Sequence, residues 1–174
     1  MEHIERVKGV FTAPPDNFMS RLSTGAAVIG NGDLLVAVGG GADKLAFRFS
    51  KVDFWKALEE APNRAGARAV GTLWLETPEL RNSSYLLEQN ICDATIRGRF
   101  EKAGLALSVR VWTPRGENAL VVELEATGTE AILLRPVFEI QDGNGTVQAD
   151  ASGLLTIEKL TITQIPAVLH LKPR

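Results

Sequence analysis

Cysteine is almost missing from this chain: Cys92 is the single one among 174 residues. One thiol cannot build an internal disulfide framework. Within the strand-like run Asn90-Ile91-Cys92-Asp93-Ala94-Thr95 it reads as a small buried apolar side chain. Histidine is nearly as scarce, with only His3 and His170, near opposite ends. Neither belongs to a metal-ligand spacing or borders a Gly-x-Ser-x-Gly elbow, which argues against a zinc site and a serine triad. No metal and no cofactor is therefore expected. A basic surplus is also lacking: 19 Lys and Arg stand against 21 Asp and Glu, for a net charge of −2. That balance disfavours nucleic acid as a partner, because phosphates need excess cations. No apolar run approaches the roughly 18 residues that span a bilayer, so no membrane partner is expected. The opening MEHIERVKGVF mixes charges with isolated apolar residues and does not read as a signal peptide. The expectation is a cytoplasmic product, or a chain without its leader.

What is present is punctuation. The chain carries 16 glycines and 8 prolines between short apolar runs, and 45% of its residues are hydrophobic. That composition suits one soluble domain with a real core. Residues 1–20, broken by Pro14-Pro15-Asp16, read as a lead-in, and residues 21–174 as the domain. Gly30-Asn31-Gly32-Asp33 lies between two apolar runs and predicts a hairpin with an Asn-Gly type I′ turn. A second reversal is expected at Gly39-Gly40-Gly41-Ala42-Asp43. KVDFWKALEEA, residues 51–61, predicts one short helix ended by Pro62, with a loop to Gly66. Further strands are expected over 69–76, 95–100, 105–112, 119–126 and 131–140. Leu105, Leu107, Val109 and Val111 share one face of such a strand, with Ser108 and Arg110 opposite. Leu120, Val122 and Leu124 do the same against Glu123 and Glu125. Many short strands with turn signals predict an all-β fold: an antiparallel β-sandwich with one short helix.

Three stretches carry a family resemblance. They are Gly30-Asn31-Gly32-Asp33 followed by Lys51-Val52-Asp53-Phe54-Trp55, then Tyr85 to Thr95, then Leu107 to Thr113 with Asn118 to Leu124. In order and separation they resemble the N-terminal β-sandwich, or supersandwich, domain of glycoside hydrolases that carry an (α/α)6 catalytic barrel, such as the inverting α-L-fucosidase type. The match covers residues 24–126. It departs from the family pattern at Asn90-Ile91-Cys92 and at Ala27-Val28-Ile29. The resemblance implies part of a supersandwich. It also implies that the acid and base of catalysis belong to a barrel that this chain does not reach. Partners implied are the barrel domain or a second copy of the chain, hence a homo-oligomer, and a carbohydrate.

No catalytic residue is assigned. A glycosidase needs two carboxylates flanking the scissile bond. Among 21 acidic residues, Asp33 and Asp53 stand out by position, and Asp53 adjoins the aromatic pair Phe54-Trp55. An exposed Trp55 ring would stack on a sugar face. Asp53, Trp55 and Asp33 are thus the candidate ligand-binding residues, against a structural role such as helix capping for Asp53. Trp74 and Trp112 read as core or interface rings. Two functions follow: a non-catalytic sandwich module associated with a glycoside hydrolase, structural or edging the substrate, or a free-standing lectin-like domain for carbohydrate or an apolar ligand.

Overall fold

Alternation of apolar and polar residues lays this chain out as strands. The computed structural model describes residues 7–18, 25–58, 61–140, 146–149, 155–158 and 169–171, with side chains from 7 to 54 and from 69 to 139 within those ranges. Thirteen strands run through them: β1 (Lys8–Phe11), β2 (Ala27–Gly30), β3 (Leu34–Gly41), β4 (Lys44–Leu58), β5 (Ala61–Glu76), β6 (Ser84–Asn90), β7 (Thr95–Lys102), β8 (Leu105–Trp112), β9 (Val121–Thr127), β10 (Ile132–Ile140), β11 (Thr146–Ala149), β12 (Leu155–Glu158) and β13 (Leu169–Leu171). One antiparallel sheet has the order β1-β6-β7-β8-β9; a second has the order β13-β10-β5-β4-β3-β2. β11 and β12 form a separate pair. The all-β sandwich is the observed fold. Part of the lead-in segment is integral to it, since Lys8–Phe11 pairs with Leu87–Asn90.

The inner faces of the two large sheets supply one core. Leu87, Ile96, Phe100, Leu107, Val109 and Val111 come from the five-stranded sheet. Ala27, Ile29, Val36, Val38, Phe47 and Ile132 meet them from the six-stranded sheet. Phe47 and Phe100 are fully buried, and either one cut to Ala would cost about 3–5 kcal/mol. Leu107, Val109 and Val111 turn inward on β8 while Arg110 stays exposed, and Leu124 of β9 packs on the same core. A second, smaller cluster covers the outer face of the six-stranded sheet. There Phe18 lies edge-on to Trp74 at 6.5 Å and packs with Ala26 and Ala46. Gly39 is required beneath it, because a Cβ would sit 2.5 Å from the Phe18 ring.

Four expectations need correction. Residues 51–58 are strand, not helix: Trp55, Lys56 and Ala57 ladder with Ala67, Gly66 and Ala65 of β5. Pairing with a ready strand outweighs the helical preference of a short segment, and Val52, Phe54 and Trp55 favour an extended chain. The same ladder draws residues 62–66 into β5, where a loop was expected. The triple glycine belongs to the end of β3, and the reversal falls on Ala42-Asp43. Cys92 is exposed, not buried, because β6 ends at Asn90 and residues 91–94 form the turn to β7. The Asn90 side chain accepts the Cys92 amide at 2.9 Å, and Asp93 accepts both the amide and the hydroxyl of Thr95. Side chains of this kind stabilise turns in place of strand pairing.

Candidate functional site

Asn31 organises one end of the sandwich. Its Oδ1 accepts the amides of Asp33 and Leu34 at 3.1 and 2.9 Å, which closes the β2–β3 turn. Its Nδ2 donates to the carbonyls of Pro114 and Glu117, each at 2.8 Å. One side chain therefore ties this turn to the loop between β8 and β9. Gly32 takes φ 97°, as a tight reversal demands, while Asn31 and Asp33 do not have positive φ. The turn is thus not the expected type I′, which needs positive φ at both central residues. Asn31 instead spends its amide on the neighbouring loop.

Asp33 and Asp53 meet in the same place, through Lys51. The Lys51 Nζ donates to Asp33 Oδ1 at 3.1 Å and to Asp53 Oδ1 at 2.7 Å. Lys51 and Asp53 lie two residues apart on β4 and so share a face, and the β3–β4 register sets Lys51 opposite Leu34, beside the turn that carries Asp33. Ser50 pairs with Ala69 and Trp55 with Ala67, so Lys51–Phe54 bulge against Arg68 alone. Lys51 stays registered with Leu34, and the Val52 amide reaches the Asp33 carbonyl at 2.9 Å.

The electrostatics follow from that geometry. The hydrogen bond from Lys51, aided by its charge, holds the Asp53 carboxyl below its ordinary range. The hydrogen bond to Asp53 and the nearby Asp33 raise the Lys51 ammonium above its own. Asp53 therefore stays ionised through neutral pH and is a poor proton donor. The cluster can accept hydrogen bonds from hydroxyls on the free carboxylate oxygens, and Val52 and Leu35 give it exposed apolar neighbours.

Two of the three candidate residues are thus brought together. The third, Trp55, continues β4 opposite Ala67, and its side chain lies outside the described residues. Sequence reasoning did not single out Lys51 or Asn31 as functional, although both lie in the motifs that drew attention to the aspartates. Trp74 donates to Glu139 at 2.9 Å and lies 4.7 Å beneath the Lys44 ammonium, on the outer face of the six-stranded sheet. Trp112 stacks under Arg110 at 4.9 Å. Among the described residues, no group of three His, Cys, Asp or Glu is placed to hold a metal ion, and no helix is long and apolar enough to cross a membrane. Comparison with protein-family models and with curated proteins gives no match to this chain.

Proposed function

We propose that the chain serves as a non-catalytic β-sandwich module associated with a glycoside hydrolase, structural or edging a sugar pocket. The observation that carries this reading is the sharing of one ammonium by two aspartates. A general acid must hold a proton near neutral pH, and Asp53 is pushed the other way. Asp33 and Asp53 are both bound to Lys51, which suits fixed hydrogen-bond acceptors better than an acid–base pair. The order of the three resembling stretches on a β-sandwich supports the family assignment, with acid and base supplied by a helical barrel.

In this reading the end built from Asn31, Asp33, Lys51 and Asp53 faces the barrel, a second copy, or the substrate. A homo-oligomer covers that end in the absence of a barrel. The test is a panel of aryl glycosides together with light scattering. No turnover above buffer and a mass of at least two chains are expected. Turnover that disappears in Asp53→Asn would replace this reading with an autonomous glycosidase. A concentrated sample that remains at the 18.8 kDa chain mass would favour a free-standing binding domain.

A further inference from the structure

Gly-Asn-Gly occurs twice in this chain, at 30–32 and at 143–145. Asparagine before glycine readily loses its side-chain amide. The next backbone nitrogen attacks Cγ, and glycine has no Cβ to shield that nitrogen. Residues 143–145 lie outside the described residues. At Asn31 both polar atoms of the carboxamide have defined partners.

Two features of the β2–β3 turn favour the attack. Gly32 is exposed, a Cβ added to it would meet nothing within 4 Å, and its amide has no hydrogen-bond partner among the described residues. The amides of Asp33 and Leu34 already donate to Asn31 Oδ1 at 3.1 and 2.9 Å. Negative charge gathers on that oxygen in the tetrahedral intermediate, and donors fixed there stabilise it. A third feature opposes the attack. Nδ2, the leaving nitrogen, commits its hydrogens to the carbonyls of Pro114 and Glu117, each at 2.8 Å. Those bonds hold the planar amide and are lost when Nδ2 departs. They stabilise the ground state more than the transition state and so raise the barrier.

We infer that Asn31 is a spontaneous deamidation site gated by the loop between β8 and β9. With the loop released, solvent base takes the Gly32 amide proton and the nitrogen closes a succinimide ring on Cγ. The Cγ–Nδ2 bond breaks, and Nδ2 takes a proton from water and leaves as ammonia. Water then opens the ring at either carbonyl, leaving aspartate or isoaspartate at position 31. Water is consumed, ammonia is released, and nothing is oxidised or reduced. Both products lack Nδ2, the donor that Pro114 and Glu117 accept from, so the tie cannot re-form and the change runs one way. The gate rests on the geometry of Asn31 and is independent of the module reading.

The experiment incubates the full chain at mildly alkaline pH and follows Asn31 and Asn144 by peptide mass spectrometry. A synthetic peptide of residues 28–35 supplies the unguarded rate. Asn31 in the folded chain should react more slowly than in the peptide by roughly tenfold or more, equivalent to about 1.4 kcal/mol of barrier. Gly116 holds φ 77° in the guarding loop, where a β-branched side chain is strained. Gly116→Val should therefore speed the loss at Asn31 severalfold and leave Asn144 unchanged. Should circular dichroism show that variant unfolded, Pro114→Gly serves in its place, since it keeps the accepting carbonyl and loosens the chain around it. Asn31 reacting as fast in the folded chain as in the peptide would overturn the inference. So would an unchanged rate at Asn31 in a folded variant whose hydrogen exchange at Glu117 and Asn118 shows the loop to have opened.

Discussion

The carboxamide of Gln89 pairs with both backbone groups of Val28. Gln89 Nε2 donates to the Val28 carbonyl at 2.7 Å, and the Val28 amide points back to Gln89 Oε1 at 3.5 Å. Val28 sits on β2, the last strand of the six-stranded sheet, and Gln89 on β6 of the other sheet. A side chain thus imitates a neighbouring strand at an edge and ties the two sheets together. Open edges are templates for unwanted pairing, and this one is blocked at its middle.

Gln89→Leu keeps the size of the side chain and removes both partners. A backbone group left unpaired away from water costs about 1–3 kcal/mol. The urea midpoint should fall accordingly, and hydrogen exchange at Val28 should speed up more than at Ala27. A variant with wild-type midpoint and exchange would mean that water satisfies Val28 equally well.

The two-residue turn between β7 and β8 carries an unsuitable residue. Lys102 pairs with Leu105, and the two residues between them, Ala103 and Gly104, have φ 46° and 79°. Positive φ at both central positions is the type I′ pattern. Alanine in the left-handed region is strained by roughly 1–2 kcal/mol, whereas asparagine tolerates it. Ala103→Asn should therefore raise stability by about 0.5–1 kcal/mol, part of that strain being retained. Calorimetry would show a higher melting temperature; a lower one would count against this turn geometry.

That turn shows what was legible in the sequence and what was not. Alternation over Leu105 to Val111 identified β8 and its buried face, because a period of two leaves one geometry that buries four apolar residues together. Lys102-Ala103-Gly104 was legible as a reversal but not as type I′, since Ala103 obeys the hairpin and not its own preference. The Asn-Gly pair at 31–32 pointed to type I′ and forms a different turn, because Asn31 is claimed by the Pro114 and Glu117 carbonyls. Such a contact, across more than eighty residues of chain, leaves no local signature. The helix expected over 51–61 failed for the same reason: its competitor was β5, a tertiary partner. At the candidate site the two aspartates were visible as positions in a motif. Their shared Lys51 was hidden, because it is the tertiary pairing of β4 with β3 that sets Lys51 beside the turn carrying Asp33.

Acid should loosen this fold through its paired carboxylates. Asp53 is lowered by Lys51, Asp93 by Arg97 and Thr95, and Glu76 by Arg135 and Lys44. A carboxyl whose folded pKa is depressed stabilises the protein above its unfolded pKa and loses that contribution as pH falls through the folded value. Urea midpoints should accordingly be level from neutral pH down to about pH 5 and decline below about pH 4. Asp93→Asn should flatten part of the decline, since its ion pair with Arg97 at 2.7 Å is then gone at every pH. An identical slope in that variant would remove Asp93 from the account.

The four side-chain hydrogen bonds of Asn31 divide into two kinds, and two substitutions separate them. Oδ1 serves its own turn; Nδ2 serves the β8–β9 loop. Asn31→Ala loses both kinds and should cost about 1–3 kcal/mol, the range for unpairing partly buried backbone groups. Asn31→Asp keeps the two accepted bonds but sets a carboxylate oxygen against the carbonyls of Pro114 and Glu117. If the tie between loops is what matters, Asp should be no better than Ala at neutral pH. Protonation would restore one donor, so the Asp variant should recover relative to Ala as pH falls from neutrality toward about 4, the unfolded carboxyl value, and no further below it. Hydrogen exchange at Gly116 and Asn118 should accelerate in both variants at neutral pH. If Asn31→Asp matched the wild type in midpoint and in exchange, the tie would contribute nothing, and the end of the sandwich that carries Asp33, Lys51 and Asp53 would owe its shape to the pairing of β3 with β4 instead.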